Sequence, residues 1–167
     1  KVTDFYNLRR ENCNNVLPNN AHKLIADLEN KYIVNIITQN IDDLHERAGS
    51  SNVLHLHGEI NLARSWGTGN KYPIHKGNQL SYADKCPEGY LLRPDVVWFG
   101  EEVPNLIPAS EIVAHSDILI IIGTSLQVYP AASLKDYCSN EVKKYLIDPD
   151  NNLQIAGFES IVLSATE

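Results

Sequence analysis

Short amphipathic segments alternate along the chain with short apolar runs, and this pattern predicts helices between strands. Residues 4–12 and 19–30 interleave polar with apolar side chains and predict two helices, the second preceded by Pro18 and Asn19 as start signals. Both predicted helices are amphipathic.

The run "YIVNIITQN" (32–40) has the density of β-branched residues expected of a strand that is buried on both faces. The segment "IDDLHERAG" after it predicts a helix or a tight turn closed by Gly49. A second strand is predicted at "VLHLHG" (53–58). Strands and helices therefore alternate from the start of the chain.

Residues 61–92 differ in composition, because glycine and proline punctuate a polar stretch with little periodicity. We expect a small loop-rich insertion there. Beyond it the pattern resumes, with helices predicted at 109–116 and from Pro130 onwards, and strands at 95–100, 117–125 and 143–148. The alternation predicts an α/β fold in which helices cover both faces of a parallel sheet.

Composition narrows the function classes. A length of 167 residues suits one main domain with a small subdomain, and the formal net charge of −7 argues against nucleic acid as the main partner. No apolar run approaches the roughly 20 residues needed to span a membrane. The three cysteines form no CxxC pair, which favours a reducing cytoplasm and predicts neither a disulfide framework nor a complete zinc site.

Three predicted strands end in small or polar residues, in "ITQNID", "IGTS" and "LIDP". In open α/β sheets, ligands bind beyond the carboxyl ends of the strands, so these residues are expected to converge on one site. The Gly-Thr-Ser turn can present N–H groups and hydroxyls to a ribose or phosphate, although an ordinary strand-to-helix turn has the same composition. The polar residues of "TQNID" can likewise be turn and capping residues.

Four ordered motifs carry a family resemblance: "TQNIDDLHERAG", "HLHGE", "LRPDVVWFGE" and "IGTSLQVYPAA". Together they resemble the core of the sirtuins, the NAD-dependent protein lysine deacylases, over nearly the whole chain. The resemblance implies a Rossmann-like NAD-binding domain formed by 1–60 and 93–167, with 61–92 as the small insertion. Residues 1–20 are candidates for a small helical module within this division.

The resemblance also implies roles for the polar residues after the first strand. Asp42 would accept a hydrogen bond from the nicotinamide carboxamide of NAD, and Ile41 would pack on the ring. Gln39 and Asn40 would contact the ribose. Breaking the nicotinamide bond generates oxocarbenium character at ribose C1′, which requires positioned polar groups and the exclusion of water. Further cofactor contacts are expected from Gly123, Thr124, Ser125 and Asp148.

His57 matches the catalytic histidine of the family and would act as general base on a ribose hydroxyl, a role that suits an imidazole titrating near neutral pH. His55 is expected to be a packed or hydrogen-bonded histidine. The acylated-lysine protein or peptide would pair with the strand at 96–99, because backbone pairing tolerates many sequences. The resemblance implies that Val97, Phe99 and Gly100 frame the acyl-lysine site, with Trp98 packed beside it, and Val96 is a further substrate-binding candidate. Core packing is the alternative for Val96, Val97 and Trp98.

"FYNLRR" resembles the Tyr-x-x-Arg motif by which class III sirtuins recognise succinyl and malonyl groups. Tyr6 and Arg9 lie three residues apart on one helix face, where a guanidinium and a phenol can bind a carboxylate. Arg10 is the alternative in the other register. A solvated helix face would have the same spacing, so this assignment depends on the family frame.

The chain departs from the family pattern in two places. The insertion offers only Cys86, with "RSWG" where the first CxxC pair would fall, so we expect no zinc. The family's Gly-Ala-Gly-x-Ser segment, which cradles the pyrophosphate, does not precede Lys1, and the chain has no methionine. We therefore expect a longer natural protein, and poor NAD binding by these residues alone.

Three functions remain open on the sequence. The favoured one is NAD-dependent removal of acetyl, succinyl or malonyl groups from protein lysines, giving nicotinamide and O-acyl-ADP-ribose. The others are a catalytically inactive nucleotide- or acyl-peptide-binding module and an NAD glycohydrolase-like enzyme.

Overall fold

The computed structural model describes residues 1–165 as an α/β chain with eight strands in three small sheets. Four α-helices and one 3-10 helix accompany them: α1 (Val2–Asn15), α2 (Asn20–Leu28), α3 (Leu44–Ala48), α4 (Leu106–Ala114) and the 3-10 helix Ala131–Tyr137. The strands are β1 (Ile36–Thr38), β2 (Val53–His55), β3 (Gly58–Ser65), β4 (Lys71–Pro73), β5 (Leu92–Val96), β6 (Ile118–Ile122), β7 (Lys143–Ile147) and β8 (Glu159–Ile161).

Two of the three sheets are parallel. Strand β1 pairs with β2, and β7 lies between β6 and β8. The third sheet, in the order β4-β3-β5, is antiparallel and lies between the other two along the chain. Parallel strands joined through helices confirm the predicted α/β class.

Local signals set the ends of several helices. The Asn19 side chain accepts the His22 N–H at 3.1 Å while His22 Nδ1 accepts the Asn19 N–H at 3.3 Å, which closes a capping box at the start of α2. Gly49 ends α3 with φ +109°, a left-handed conformation that glycine adopts without strain. The start signal at Asn19 and the end signal at Gly49 are thus confirmed.

The strands are shorter than the sequence pattern predicts. The strand expected at 32–40 covers only Ile36–Thr38, and Ile33 is 92% exposed, so burial on both faces was wrong for its first residues. The strand expected at 53–58 ends at His55, and a new strand begins at Gly58. An apolar run marks where a strand can form, but the hydrogen-bonding partner decides where it ends.

The segment expected to be a loop-rich insertion contains most of β3 and all of β4. The strand expected at 95–100 is instead β5, which starts at Leu92 and ends at Val96. These differences share one cause, because β5 pairs with β3 across about thirty residues of chain and such a pairing leaves no periodic signal in a short window. Strand β8, after residue 150, also had no predicted counterpart.

The core that supports the site lies beneath β2. Leu56 is 1% exposed and packs with Ala109 of α4 and with two residues of the 3-10 helix, Ala131 and Leu134. Among residues 1–165, no helix is both long and apolar enough to cross a membrane.

Candidate active site

The carboxyl end of β1 and the turn after β6 meet through a side-chain contact. Gln39 Nε2 donates a hydrogen bond to Thr124 Oγ1 at 3.3 Å, although the two residues follow strands of different sheets. The Gly123 N–H donates to the carbonyl oxygen of Ile147 at 3.0 Å, which places this turn beside the end of β7. Polar residues from two of the predicted segments therefore share one edge of the fold, as the parallel topology requires.

The turn residues also serve local structure. Asp42 Oδ1 accepts the N–H of Leu44 at 3.1 Å and so forms an Asx turn into α3. Asp148 Oδ1 accepts the N–H of Asp150 at 2.9 Å in the turn after β7. Asn40 is exposed, with its N–H donated to Thr38 Oγ1 at 3.1 Å. One carboxylate oxygen in each aspartate is thus committed to its turn.

The half-buried His57 lies two residues beyond the end of β2, beside the polar segment after β1. Its Nδ1 is 3.1 Å from the carbonyl oxygen of Gln39. A carbonyl oxygen only accepts, so the ring is expected to carry its proton on Nδ1 and to keep a lone pair on Nε2. This is the tautomer that a base at Nε2 needs.

His55 has a different environment. It is 6% exposed, with Nδ1 3.0 Å from the Asn40 carbonyl oxygen and Nε2 2.8 Å from Glu46 Oε1. Both ring nitrogens are therefore engaged by the protein, which agrees with the expectation of a hydrogen-bonded histidine.

A third element, the turn 97–100, approaches His57 from the small antiparallel sheet. The Val97 N–H donates to the His57 carbonyl oxygen at 2.9 Å. Gly58 makes this approach possible, because a Cβ there would lie 2.0 Å from the Asp95 carbonyl oxygen and φ is +86°. The histidine and the turn are thus joined through the backbone.

A cavity of about 510 Å³ opens between this turn and the start of α1. Its lining is mostly apolar and aromatic: Lys1, Val2, Phe5, Tyr6, Val97, Trp98 and Phe99. Phe99 is fully exposed, whereas Val96 is 6% exposed and lies in the core, outside the lining. Gly100 has φ +89°, a left-handed conformation that glycine adopts without strain. The cavity suits an aliphatic chain with an acyl end.

The two adjacent arginines of α1 have different environments. Arg10 is 2% exposed and donates through Nε to the Ile60 carbonyl oxygen at 2.7 Å and through Nη1 to Asn7 Oδ1 at 2.8 Å. It therefore anchors α1 on β3. Arg9 is exposed, with its guanidinium carbon 5.4 Å from the ring centre of Phe5, and does not line the cavity directly.

At the position expected for a zinc module, Ser65 faces Cys86. Both are buried, with Ser65 Oγ 3.4 Å from Cys86 Sγ, and Ser65 Oγ also accepts the N–H groups of Gly67 and Thr68 at 3.3 and 3.2 Å. Within residues 1–165, no group of three or more His, Cys, Asp or Glu side chains is arranged to hold a metal. A serine and one thiol do not make the four-ligand donor set of structural zinc.

Comparison with known proteins decides the family. Residues 1–130 match the Sir2 family model. The chain belongs to the Sir2 family. An NAD-dependent protein deacylase of Aggregatibacter actinomycetemcomitans is 52% identical over 152 residues, covering 91% of this chain and 73% of that protein. One from Helicobacter pylori is 55% identical over 150 residues, covering 89% of this chain and 63% of that protein.

Solved structures of the Sir2 family agree. A Sir2 homolog–NAD complex superposes with a TM-score of 0.83 at 40% identity, covering 98% of this chain and 66% of that one. A Sir2 bound to acetylated peptide gives 0.80 at 30% identity, covering 98% and 74%. The chain thus spans roughly two thirds to three quarters of the length of these Sir2 proteins, and the sirtuin resemblance is confirmed.

Sequence reasoning missed two residues of this Sir2 site. Arg93 and Glu101 lie in the motif "LRPDVVWFGE" but received no role, yet they form an ion pair directly behind the turn 97–100. The Arg93 partnership holds the pKa of the Glu101 carboxyl at about 2, below its ordinary value. The available signal was two opposite charges flanking an apolar segment.

Proposed function

We propose that the protein is an NAD-dependent lysine deacylase that removes acetyl, succinyl and malonyl groups from protein lysines and gives nicotinamide and O-acyl-ADP-ribose. The observation that carries the proposal is the position of His57. Its ring contacts the polar segment after β1 through Gln39 O, and its backbone contacts the turn lining the apolar cavity through Val97. These two contacts support a role for His57 as a base that acts between a nucleotide site and an acyl-lysine site.

The donor set at the edge of the sheet fits NAD. Amide and hydroxyl groups from Gln39 and Thr124 suit the hydroxyls of a ribose, and the Asp42 carboxylate suits a carboxamide N–H. NAD would supply the ADP-ribosyl group that accepts the acyl oxygen as nicotinamide leaves. Gln39, Asn40, Ile41, Asp42, Gly123, Thr124, Ser125 and Asp148 are the residues proposed to hold it.

The step proposed for the chain's own residues is the transfer of one proton to His57. With Nδ1 donating to the Gln39 carbonyl, Nε2 of His57 can take a proton from a ribose hydroxyl, and the carbonyl then stabilises the resulting imidazolium through the same hydrogen bond. The mostly apolar lining of the cavity would place few polar groups beside the acyl oxygen, and a bound peptide would be needed to close it to water. The acyl oxygen of the bound lysine, and not a water molecule, would then be the nucleophile.

The acidic acyl preference rests on α1. Tyr6 lines the cavity, and Arg9 is one turn further along the helix, on the same side. Succinyl or malonyl recognition therefore requires the Arg9 side chain to turn towards the cavity mouth. The hydrogen bond from Arg10 Nε to the Ile60 carbonyl oxygen supports Arg9 over Arg10 as the recognition residue.

We also propose that the protein contains no structural zinc and works in a reducing compartment such as the cytoplasm. What supports the absence of zinc is the contact of Cys86 with Ser65, a residue that offers no second thiol. The cysteines of the described chain, Cys13, Cys86 and Cys138, form no disulfide.

The test is release of nicotinamide from NAD by the full-length gene product, measured with an acetylated peptide, a succinylated peptide and no peptide. A deacylase releases nicotinamide only when an acyl peptide is present and deacylates that peptide in equal amount. Release without peptide would establish an NAD glycohydrolase, and peptide binding without release would establish an inactive binding module.

A further inference from the structure

Glu101 holds the turn 97–100 through two hydrogen bonds to Trp98. Its Oε2 accepts the Trp98 N–H at 3.0 Å, and its own N–H donates to the Trp98 carbonyl oxygen at 3.0 Å. Side chain and main chain of Glu101 thus bind the two sides of the same residue. The turn carries three cavity-lining side chains, so its shape sets the wall of the cavity.

Arg93 holds Glu101 in place. This arginine is 5% exposed, and its Nη1 and Nη2 donate to the two carboxylate oxygens at 2.5 and 3.0 Å. Nη2 also donates to the Val96 carbonyl oxygen at 2.7 Å, at the end of β5. A two-pronged ion pair fixes orientation as well as distance. Strand end and turn are therefore locked to each other through one guanidinium group.

We call Arg93 with Glu101 the clamp, and two aromatic rings pack on its guanidinium group. The Arg93 guanidinium carbon lies 3.5 Å from the ring centre of Trp98 and 4.7 Å from that of Trp66. Stacking strengthens with desolvation, and this arginine is buried. Trp98 belongs to the turn, so the clamp binds the turn by side chain and by backbone.

The clamp also reaches the catalytic residue. Val97, the first residue of the turn, donates its N–H to the His57 carbonyl oxygen. A movement of the turn would either break this hydrogen bond or carry His57 with it. The turn that lines the cavity and the base His57 thus keep a fixed relative position, through the contacts of Glu101 with Trp98 and of Val97 with His57.

We infer that Arg93 and Glu101 are positioning residues, which hold the turn 97–100 in the shape that binds an acyl-lysine peptide and keep it in register with His57. Neither side chain lines the cavity, so neither is a catalytic residue. The inference rests on the proposed function and adds the group that determines peptide affinity.

The test compares Glu101→Gln with Glu102→Gln in the full-length protein. Glutamine keeps the size and an acceptor for Trp98 but removes the charge, whereas Glu102 is an exposed acid next in the chain. Loss of a charge-assisted pair is expected to raise KM for an acetyl-lysine peptide by about tenfold. The KM for NAD should change by less than about twofold, and Glu102→Gln should match the wild type.

A second measurement separates positioning from stability. The chain has two tryptophans, Trp66 and Trp98, and both stack on Arg93. Tryptophan emission therefore reports the clamp directly, and its change on peptide addition gives a Kd that does not depend on turnover. Glu101→Gln should weaken this Kd in parallel with KM, and Glu101→Asp, which restores the charge, should recover part of it.

The outcomes are distinct. A lowered Tm with unchanged peptide KM and Kd would overturn the inference and leave the ion pair with a purely structural role. An inactive wild type would overturn the proposed function, and the peptide Kd values would still decide the role of Glu101. If Glu101→Gln fails to fold, the comparison of wild type with Glu101→Asp is decisive, because an unchanged Kd there contradicts positioning.

Discussion

The Nδ1 atom of His57 lies 3.1 Å from the main-chain carbonyl oxygen of Gln39, whereas His55 has both ring nitrogens engaged by Asn40 O and Glu46. The two histidines are two residues apart in one motif, yet only His57 keeps a ring nitrogen available for a substrate hydroxyl. This difference leads to the first prediction.

His57→Ala should abolish deacylation with little change in Tm, since the loss of a general base costs about 10²–10⁴ in rate and later steps need the same group. His55→Ala should retain substantial activity but melt at a lower temperature, because it removes a buried ring and its hydrogen bonds to the Asn40 carbonyl oxygen and Glu46. Activity and circular-dichroism melting of both variants provide the check. Equal activity of the two would contradict the assignment of His57.

Asp42→Asn should weaken nicotinamide inhibition and turnover together, because in the proposed site nicotinamide as product would occupy the pocket that positions the leaving group. Asparagine can still accept the Leu44 N–H, so the Asx turn into α3 is retained and the variant should fold normally. The measurement is the inhibition constant of nicotinamide with kcat/KM for an acyl peptide. An unchanged inhibition constant would place the pocket elsewhere.

Arg9→Met should lower kcat/KM for a succinyl peptide. The loss should correspond to about 2–4 kcal/mol of transition-state stabilisation, the order expected when a bound carboxylate loses its charged partner. Deacetylation should change far less, because an acetyl group makes no use of the guanidinium. Tyr6→Phe should act in the same direction by a smaller amount. Parallel loss on both substrates would reduce Arg9 to a structural role.

Arg10→Met is the matched control for this experiment. It removes the buried hydrogen bond from Nε to the Ile60 carbonyl oxygen, so its effect should be a lower Tm and similar losses on both acyl substrates. A succinyl-selective loss in this variant would instead make Arg10 the recognition residue.

Metal content is the fourth prediction. Protein purified without exposure to a chelator should contain well under one zinc per chain. Adding a chelator should leave Tm unchanged. The reason is that Cys86 hydrogen-bonds to Ser65 at the position expected for the zinc module. Elemental analysis and melting curves test this. Stoichiometric zinc would mean that other side chains, such as His75, join Cys86.

Stability should fall in mild acid because of His45. Burial, followed by the nearby His22, lowers the pKa of His45, whose ring centre is 4.7 Å from that of His22 and whose buried Nδ1 has no partner among residues 1–165. The folded state thus favours the neutral ring. Its contribution to stability is complete above the unfolded pKa of about 6.5 and decreases as pH falls below that value.

The measurement is Tm between pH 7 and pH 5. His45→Phe keeps an aromatic ring that cannot take a proton, so its decline in Tm should be shallower than that of the wild type. His75→Asn, at an exposed histidine, should leave the slope unchanged. Identical slopes for all three proteins would contradict the prediction.

The sequence by itself determined the α/β class, the cap at Asn19 and the glycine stop at Gly49, because periodicity and end signals act over a few neighbouring residues. It also indicated the family, since four motifs in a fixed order are specific without any knowledge of contacts. His57 and the polar segment at 39–42 followed from that resemblance.

Only the tertiary structure decided how those parts meet. The end of β5 at Val96, the core position of that residue and the ion pair of Arg93 with Glu101 depend on pairing with β3, about thirty residues away in the chain. The same holds for α1, where Arg10 and not Arg9 became the buried anchor. Adjacent arginines look alike in a sequence, and only the position of the Ile60 carbonyl oxygen on another strand makes one of them structural.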